Sequence, residues 1–294
     1  MKPVVLLGVL ALLVGASVAR ADDASSSGSS GSTSSSTSQS VANAKLVGAD
    51  TTRSYFEIAD AIKTDLAQDS STRASKNTFL FDYTRTLGAW MNGQWSINAE
   101  TGISSMAQGQ NIEKTNANPF WEDLDVALVY QRKIFWNTRM LLEIGDSLPT
   151  GYVSQMEAYK SIYEVGAQFV SPIYRHSLLL VNSFGGSLIY NTYDFSPNTL
   201  QSNPLYTGDY SLGLRWLFNA NWSMGVSENF KSVHFIDGAN EMVSASAESI
   251  TYMLNSLSLS LVLWNGTYDY NDSPATLYFD AYREVVSVRA AYDF

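Results

Sequence analysis

At the end of the chain every second residue is apolar: Val286, Val288, Ala290 and Tyr292 alternate with Ser287, Arg289, Ala291 and Asp293 before Phe294. A period of two predicts a strand with one apolar and one polar face. The pattern recurs upstream. Leu124, Val126, Leu128 and Tyr130 oppose Asp123, Asp125 and Gln131, and Trp136, Met140, Leu142 and Ile144 oppose Asn137, Arg139 and Glu143. Tyr163, Val165, Ala167 and Phe169 stand against Lys160, Glu164 and Gln168. Tyr210, Leu212, Leu214, Trp216 and Phe218 face away from Asp209, Ser211, Gly213 and Arg215, as Leu257, Leu259, Leu261 and Leu263 do from Ser256, Ser258 and Ser260. Two places break the pattern. Asp82 and Arg85 fall on opposite faces of one strand, and Glu228 falls on an apolar face. A bulge would re-phase either, and placement above the membrane would accommodate either.

The connections alternate in length. Short ones are expected at Asn92-Gly93, Arg132-Lys133, Ser171-Pro172, Asn219-Ala220 and Asn255-Ser256, and long ones near 105–119, 147–158, 191–207, 236–241 and 265–275. Asn-Gly is the strongest of these signals, because both residues tolerate positive φ. This segmentation gives eleven strands after residue 76. Residues 53–66 add one more if Phe56, Ile58 and Ile62 mark a strand; the same residues also fit a helix carrying Tyr55, Ile58, Ala59, Ile62 and Leu66 on one face. An even number of crossings, with both termini on one side, favours the strand and a total of twelve. A helix threading the interior is the alternative.

The last strand, with Tyr292 and the terminal Phe294, resembles the closing strand of bacterial outer-membrane β-barrels, where the terminal aromatic serves as the assembly signal. The resemblance covers roughly residues 53–294 and extends to no particular family of barrels. It implies an all-β fold, a transmembrane antiparallel up-and-down barrel, most simply of 12 strands, in the bacterial outer membrane. The implied partners are outer-membrane lipid and the assembly machinery that reads the last strand. Short turns on the periplasmic side and long loops outside give such barrels this rhythm.

The amino terminus agrees. Met1 to Ala21 has a basic start at Lys2, an apolar run from Val4 to Ala16 and Ala19-Arg20-Ala21, which reads as a signal peptide over 1–21. Its apolar run falls short of the ~20 residues of a spanning helix. Residues 22–52 form a Ser/Gly-rich periplasmic tether and lead-in, and 53–294 the barrel. After the signal no apolar run reaches helical spanning length, so a closed barrel is the membrane architecture left. Five of the 7 tryptophans, Trp90, Trp95, Trp136, Trp216 and Trp222, lie beside expected short turns, where an interfacial girdle belongs.

Chemistry narrows the functions. The chain carries 18 basic and 28 acidic residues, and without Lys2 and Arg20 it has 16 against 28, a net of −12. A phosphate backbone needs a basic face, so nucleic acid is not an expected partner. There is no cysteine, which removes disulfides and thiolate metal sites, and two histidines argue against transition metals. No cofactor is expected. The twelve-stranded outer-membrane phospholipase carries His-x-Ser on one strand face. Here His176-Ser177 puts the two on opposite faces, and His234 has no serine two residues away. A nucleophile needs its base within hydrogen-bond reach, so an enzyme is not expected. Asp269, Asn271 and Asp272 suit a solvated loop better than a calcium site, and Gly185-Gly186 reads as relief for a crowded interior or a bulge.

The functional surface is then the polar face. The expected pore-lining set is Glu100, Asp125, Arg139, Glu143, Lys160, Glu164, Arg215, Arg283 and Arg289. Two arrangements of mixed charge compete: a narrow water-filled path whose opposed charges orient small polar or charged solutes, and a closed interior of paired charges. The first makes the chain a porin-like passive channel. The second makes it a structural, adhesin or receptor barrel.

Overall fold

The structure is a computed structural model that describes residues 55–65, 74–108, 119–151, 154, 159–174, 177–195, 202–219, 221–254, 256–269 and 284–293. The expected signal peptide, Ser/Gly-rich segment, His176, the Asn271-Asp272 pair, Arg283 and Phe294 lie outside these residues.

Thirteen strands form one antiparallel sheet. They are β1 (Tyr55–Asp65), β2 (Ala74–Trp90), β3 (Gly93–Gln108), β4 (Phe120–Trp121), β5 (Leu124–Lys133), β6 (Arg139–Leu148) and β7 (Tyr159–Tyr174). They continue as β8 (Leu178–Asn191), β9 (Pro204–Leu217), β10 (Trp222–Phe235), β11 (Asn240–Leu254), β12 (Leu257–Asp269) and β13 (Glu284–Asp293). Neighbours in sequence pair throughout, with β4 and β5 both on β3, and β1 pairs with β2 on one side and β13 on the other. First and last strands are thus hydrogen-bonded to each other, consistent with a barrel-type fold. The segment that fitted strand or helix is strand β1. Thirteen strands replace the expected twelve because the ladder is interrupted at Glu122 and Asp123, which sets Phe120–Trp121 apart from β5.

Side chains separate as the alternation predicts. On β9, Ser211, Gly213, Arg215 and Leu217 are buried while Leu212, Leu214 and Trp216 are exposed. On β12, Ser258 and Ser260 are buried while Leu259 and Leu261 are exposed. Ile144, Val165, Phe184 and Val226 are likewise at least half exposed. Apolar residues outside and polar ones inside invert the soluble pattern, and so wide an apolar surface needs an apolar surrounding. Asp82 takes the buried face and Arg85 the exposed one. For Glu228 no bulge intervenes. The β9–β10 register runs unbroken from Ser223 to His234, so its half-buried carboxylate lies on the outer face with Val226 and Phe230.

Three short turns differ from expectation. The first has Met91 and Asn92 at its centre, both with positive φ (55° and 60°), and Trp90 paired with Gly93 closes it. Gly93 is instead required for space. A Cβ there would lie 2.2 Å from the Tyr130 ring, whose hydroxyl donates to the Met91 carbonyl at 2.9 Å. The second turn comes after Arg132-Lys133, which still pair in β5, and it passes through Phe135–Asn137 with positive φ at Trp136 and Asn137. Trp136 therefore leaves the strand face and stands 85% exposed in the turn. The third turn follows Tyr174. Ser171 and Pro172 stay within β7, where a register shift between Pro172 and Tyr174 accommodates the missing proline N–H. At the fourth, Asn219 Oδ1 accepts from the backbone N–H of Asn221 and Trp222, as a side-chain-capped turn requires.

The tryptophans meet at these turns. Trp95 packs against Trp90 and Tyr130 at centroid distances of 6.0 and 4.8 Å, Trp216 against Phe218 at 4.8 Å, and Trp222 against Tyr252 at 4.7 Å. Exposed indoles with one polar edge suit an interface between apolar and aqueous layers.

Leu261→Arg, on the exposed apolar face, is expected to cost about 2–4 kcal/mol in a vesicle unfolding titration if it sits near mid-depth. Ser258→Arg on the opposite face is expected to be far milder, and equal costs would refute the facing. Gly93→Ala should destabilise by about 1–3 kcal/mol through overpacking. Tyr130→Leu should remove most of that penalty, and an additive double mutant would show that the ring is not the obstacle.

Candidate functional site

The inward face carries an acidic row, three arginines and a facing pair of opposite sign, Asp209 on β9 opposite Lys231 on β10. Asp82 on β2, Glu100 on β3 and Asp125 on β5 stand in register with one another, Asp82 opposite Glu100 and Glu100 opposite Asp125, and all three are buried. Carboxylates directly opposite on one face repel. Polar neighbours ease this row: Asn98 Nδ2 donates to Asp82 Oδ1 at 2.9 Å and to Thr84 Oγ1 at 3.1 Å. Glu143 on β6, buried between Val129 and Gly166 in the register, extends the acidic side. Ser147 lies opposite Asp125, and Gln168 Nε2 donates to Ser183 Oγ at 3.2 Å beyond Glu164.

Basic residues lie elsewhere. Arg139 opens β6, Arg215 lies near the end of β9, and Arg289 lies on β13. Arg139 and Arg215 are close to the short-turn ends of their strands and Arg289 lies mid-strand, whereas Asp125 and Glu164 lie further toward the long connections. Acids thus predominate on β2 to β7, the two buried arginines lie on β9 and β13, and both signs meet at Asp209 and Lys231. Arg289 is buried opposite Ser260, and Arg215 is fully buried, between Leu179 and Gly225 in the register.

Of the expected lining residues, Glu100, Asp125, Glu143, Arg215 and Arg289 are buried, and Arg139 and Glu164 are half-buried on the same face. Lys160 departs from them. A register shift between Tyr159 and Ser161 changes the phase, leaving Tyr159 buried and Lys160 exposed. Tyr292 is exposed on the outer face of β13. Asp82, Asn98 and Thr84 belong with the interior set, and the alternation of Asp82 with Tyr83 already pointed to it. Gly185 answers the crowding argument, since a Cβ there would come within 2.4 Å of the Asp209 carboxylate.

The long-connection end is also organised. Asp123 Oδ1 accepts from the Gly151 backbone N–H at 2.8 Å, Oδ2 accepts from the Ser154 hydroxyl, and Leu124 N–H donates to Thr150 Oγ1 at 2.9 Å. All of Asp123, Gly151 and Ser154 are buried, so the connection after β6 is drawn against the start of β5. A second tie joins Asn203, which donates through Nδ2 to the Tyr193 carbonyl at 2.9 Å and accepts from Ile236 N–H at 3.0 Å. Nothing in the sequence spacing announces either tie. Among the described residues no group of three or more His, Asp or Glu side chains is placed to hold a metal ion.

No family model and no curated protein matches the chain. Solved structures do. The crystal structure of an outer membrane channel from Pseudomonas putida F1 is similar with a TM-score of 0.59 at 10% identity, covering 82% of this chain and 95% of that one. The KdgM porin (TM-score 0.45, 9% identity, 81% of this chain and 99% of that one) and the NanC porin (0.45, 10%, 81% and 98%) are also similar. The fold is that of the outer-membrane β-barrels as an architecture.

Proposed function

We propose that the chain is an outer-membrane barrel of twelve crossings, β4 and β5 forming one, whose interior is a passive path for small polar or charged solutes. The observation that carries this is the buried face itself: acids on β2 to β7, arginines on β6, β9 and β13, and serine, threonine and glycine between them. Opposed walls of unlike charge produce a transverse field that orients a dipolar solute and partly replaces its hydration. A sealed interior would pair its buried charges, because an unpaired one costs several kcal/mol. Arg215 has no partner among the described residues, and an anion entering the interior would supply one. The ties at Asp123 and Asn203 narrow the mouth beside the long connections.

In this reading residues 1–21 direct export, 22–52 remain as a periplasmic tether, and Tyr292 with Phe294 presents the last strand to the assembly machinery. Glu100, Asp125, Arg139, Glu143, Glu164, Arg215, Arg283 and Arg289 face the path, and Lys160 stands at its rim. The reading involves no cofactor and no catalytic step.

Single-channel recording of the refolded protein in a planar bilayer tests this. Arg139→Gln with Arg215→Gln is expected to shift the reversal potential toward cation preference under a salt gradient, and Glu143→Gln with Glu164→Gln toward anions. Silent bilayers with verified insertion would end the channel reading.

A further inference from the structure

Arg215 is 0% exposed, and none of its three side-chain nitrogens has a hydrogen-bond partner among the described residues. No carboxylate stands against it in the ladder: its register neighbours are Leu179 on β8 and Gly225 on β10. The guanidinium is directed over β10. A Cβ built at Gly225 would lie 3.8 Å from Arg215 Nε and 2.9 Å from Ser249 Oγ, so the glycine leaves the space that arginine and serine share. Ser249 itself donates to the Gly225 carbonyl at 3.3 Å.

Its neighbours in the ladder supply more donors and, among the described residues there, no negative charge. Ser223 and Thr251 stand opposite each other one step along the ladder, and Ser227 lies one step the other way. Their hydroxyls also lack partners, and Ser223 and Thr251 are fully buried. Ala247 and Gly213 complete a wall of small residues around a single large cation. A fully desolvated guanidinium is costly without an acceptor, and its planar fork fits two oxygens of one group.

From this we infer that Arg215, with the hydroxyls of Ser223, Ser227 and Thr251, forms a subsite for the oxyanion of a small solute, a carboxylate or a phosphate. The inference rests on the interior being reached by solutes, as the channel reading holds, and on the side chains that cover Arg215 giving way to the anion, and it deepens that reading by naming what the basic wall recognises. Two oxygens of the anion accept from the guanidinium; a phosphate offers a third to the serine and threonine hydroxyls, whereas a carboxylate shares its two between guanidinium and hydroxyls, and chloride presents only one atom. The acids on β2 to β7 stand on other strands, and Asp209 on β9 lies six residues from Arg215 and opposite Lys231.

The test is made on the refolded full-length protein in detergent, where binding is read without any current. Urea unfolding midpoints are measured with inorganic phosphate, with acetate and with chloride at matched ionic strength. A ligand that binds only the folded state raises the midpoint. Wild type is expected to gain stability saturably with phosphate or acetate and not with chloride. Arg215→Gln should lose that gain, and Arg215→Lys should weaken the apparent affinity about tenfold or more. Ser223→Ala with Thr251→Ala should weaken it as well, with the fold checked by heat-modifiable mobility. Without added anion Arg215→Gln should be at least as stable as wild type, because the substitution removes a desolvated charge. A stabilisation by phosphate preferred over acetate identifies a phosphate site, and the reverse order a carboxylate site. Equal responses to chloride and both oxyanions, or an effect that survives Arg215→Gln, would overturn the subsite. So would Arg215→Gln being markedly less stable, since that marks a structural partner. Conductance separates the two claims: conducting bilayers without oxyanion stabilisation refute the subsite alone, whereas oxyanion stabilisation with silent bilayers upholds the subsite and refutes the channel.

Discussion

In hydrocarbon an unpaired backbone N–H or C=O has no water to turn to, so a sheet in that setting must give every strand two partners. The pairing of β1 with both β2 and β13 meets this requirement. It fixes much else. Once neighbours are locked in antiparallel register, the pleat assigns alternate side chains to opposite sides, and a slip of one residue would exchange the sides along a whole strand. The exposed Leu212, Leu214 and Trp216 and the buried Ser211, Gly213 and Arg215 are two consequences of one register.

The interior then inherits a composition that a soluble core would not tolerate. Its apolar clusters are small, such as Ala127, Val129 and Leu141, and much of the remainder is hydroxyl, amide or charge. Bulk apolar packing therefore contributes less to the inside than hydrogen bonds such as that of Asn98 to Asp82 and the ladder itself. Polar groups held in place by the strands are preorganised, and in the channel reading proposed above they are what a solute would meet. The outer face also carries charge, at Arg85, at Glu248 and at Glu228, the last midway along β10 between Trp222 and the Tyr206–His234 stack at 4.6 Å.

Period-two alternation made the strands and their faces legible, because burial on one face leaves a mark at every second residue. The ambiguous stretch at Phe56, Ile58 and Ile62 was decided by counting crossings, which is a topological argument and not a local one. Turns were less legible. Trp136 adopts positive φ in the second turn although nothing in tryptophan favours it, and Gly93 signalled a turn but serves the Tyr130 ring. Lys160 was misplaced by a bulge, which shifts phase without any marker in the sequence. The isolation of Arg215 was invisible as well. Whether a charge finds a partner depends on which strands lie beside it, and its small neighbours on β10 and β11 come from segments apart in sequence.

The central claim is that one register turns apolar residues to lipid and polar ones to an aqueous interior. The absence of native cysteine permits a clean site-directed spin-label scan along residues 210–217 of β9 in vesicles. Collision rates with oxygen, which concentrates in lipid, and with a water-soluble nickel chelate should alternate out of phase. Oxygen should dominate at 210, 212, 214 and 216 and nickel at 211, 213 and 215. Rates that vary smoothly along the strand, or nickel access on both faces, would contradict the account.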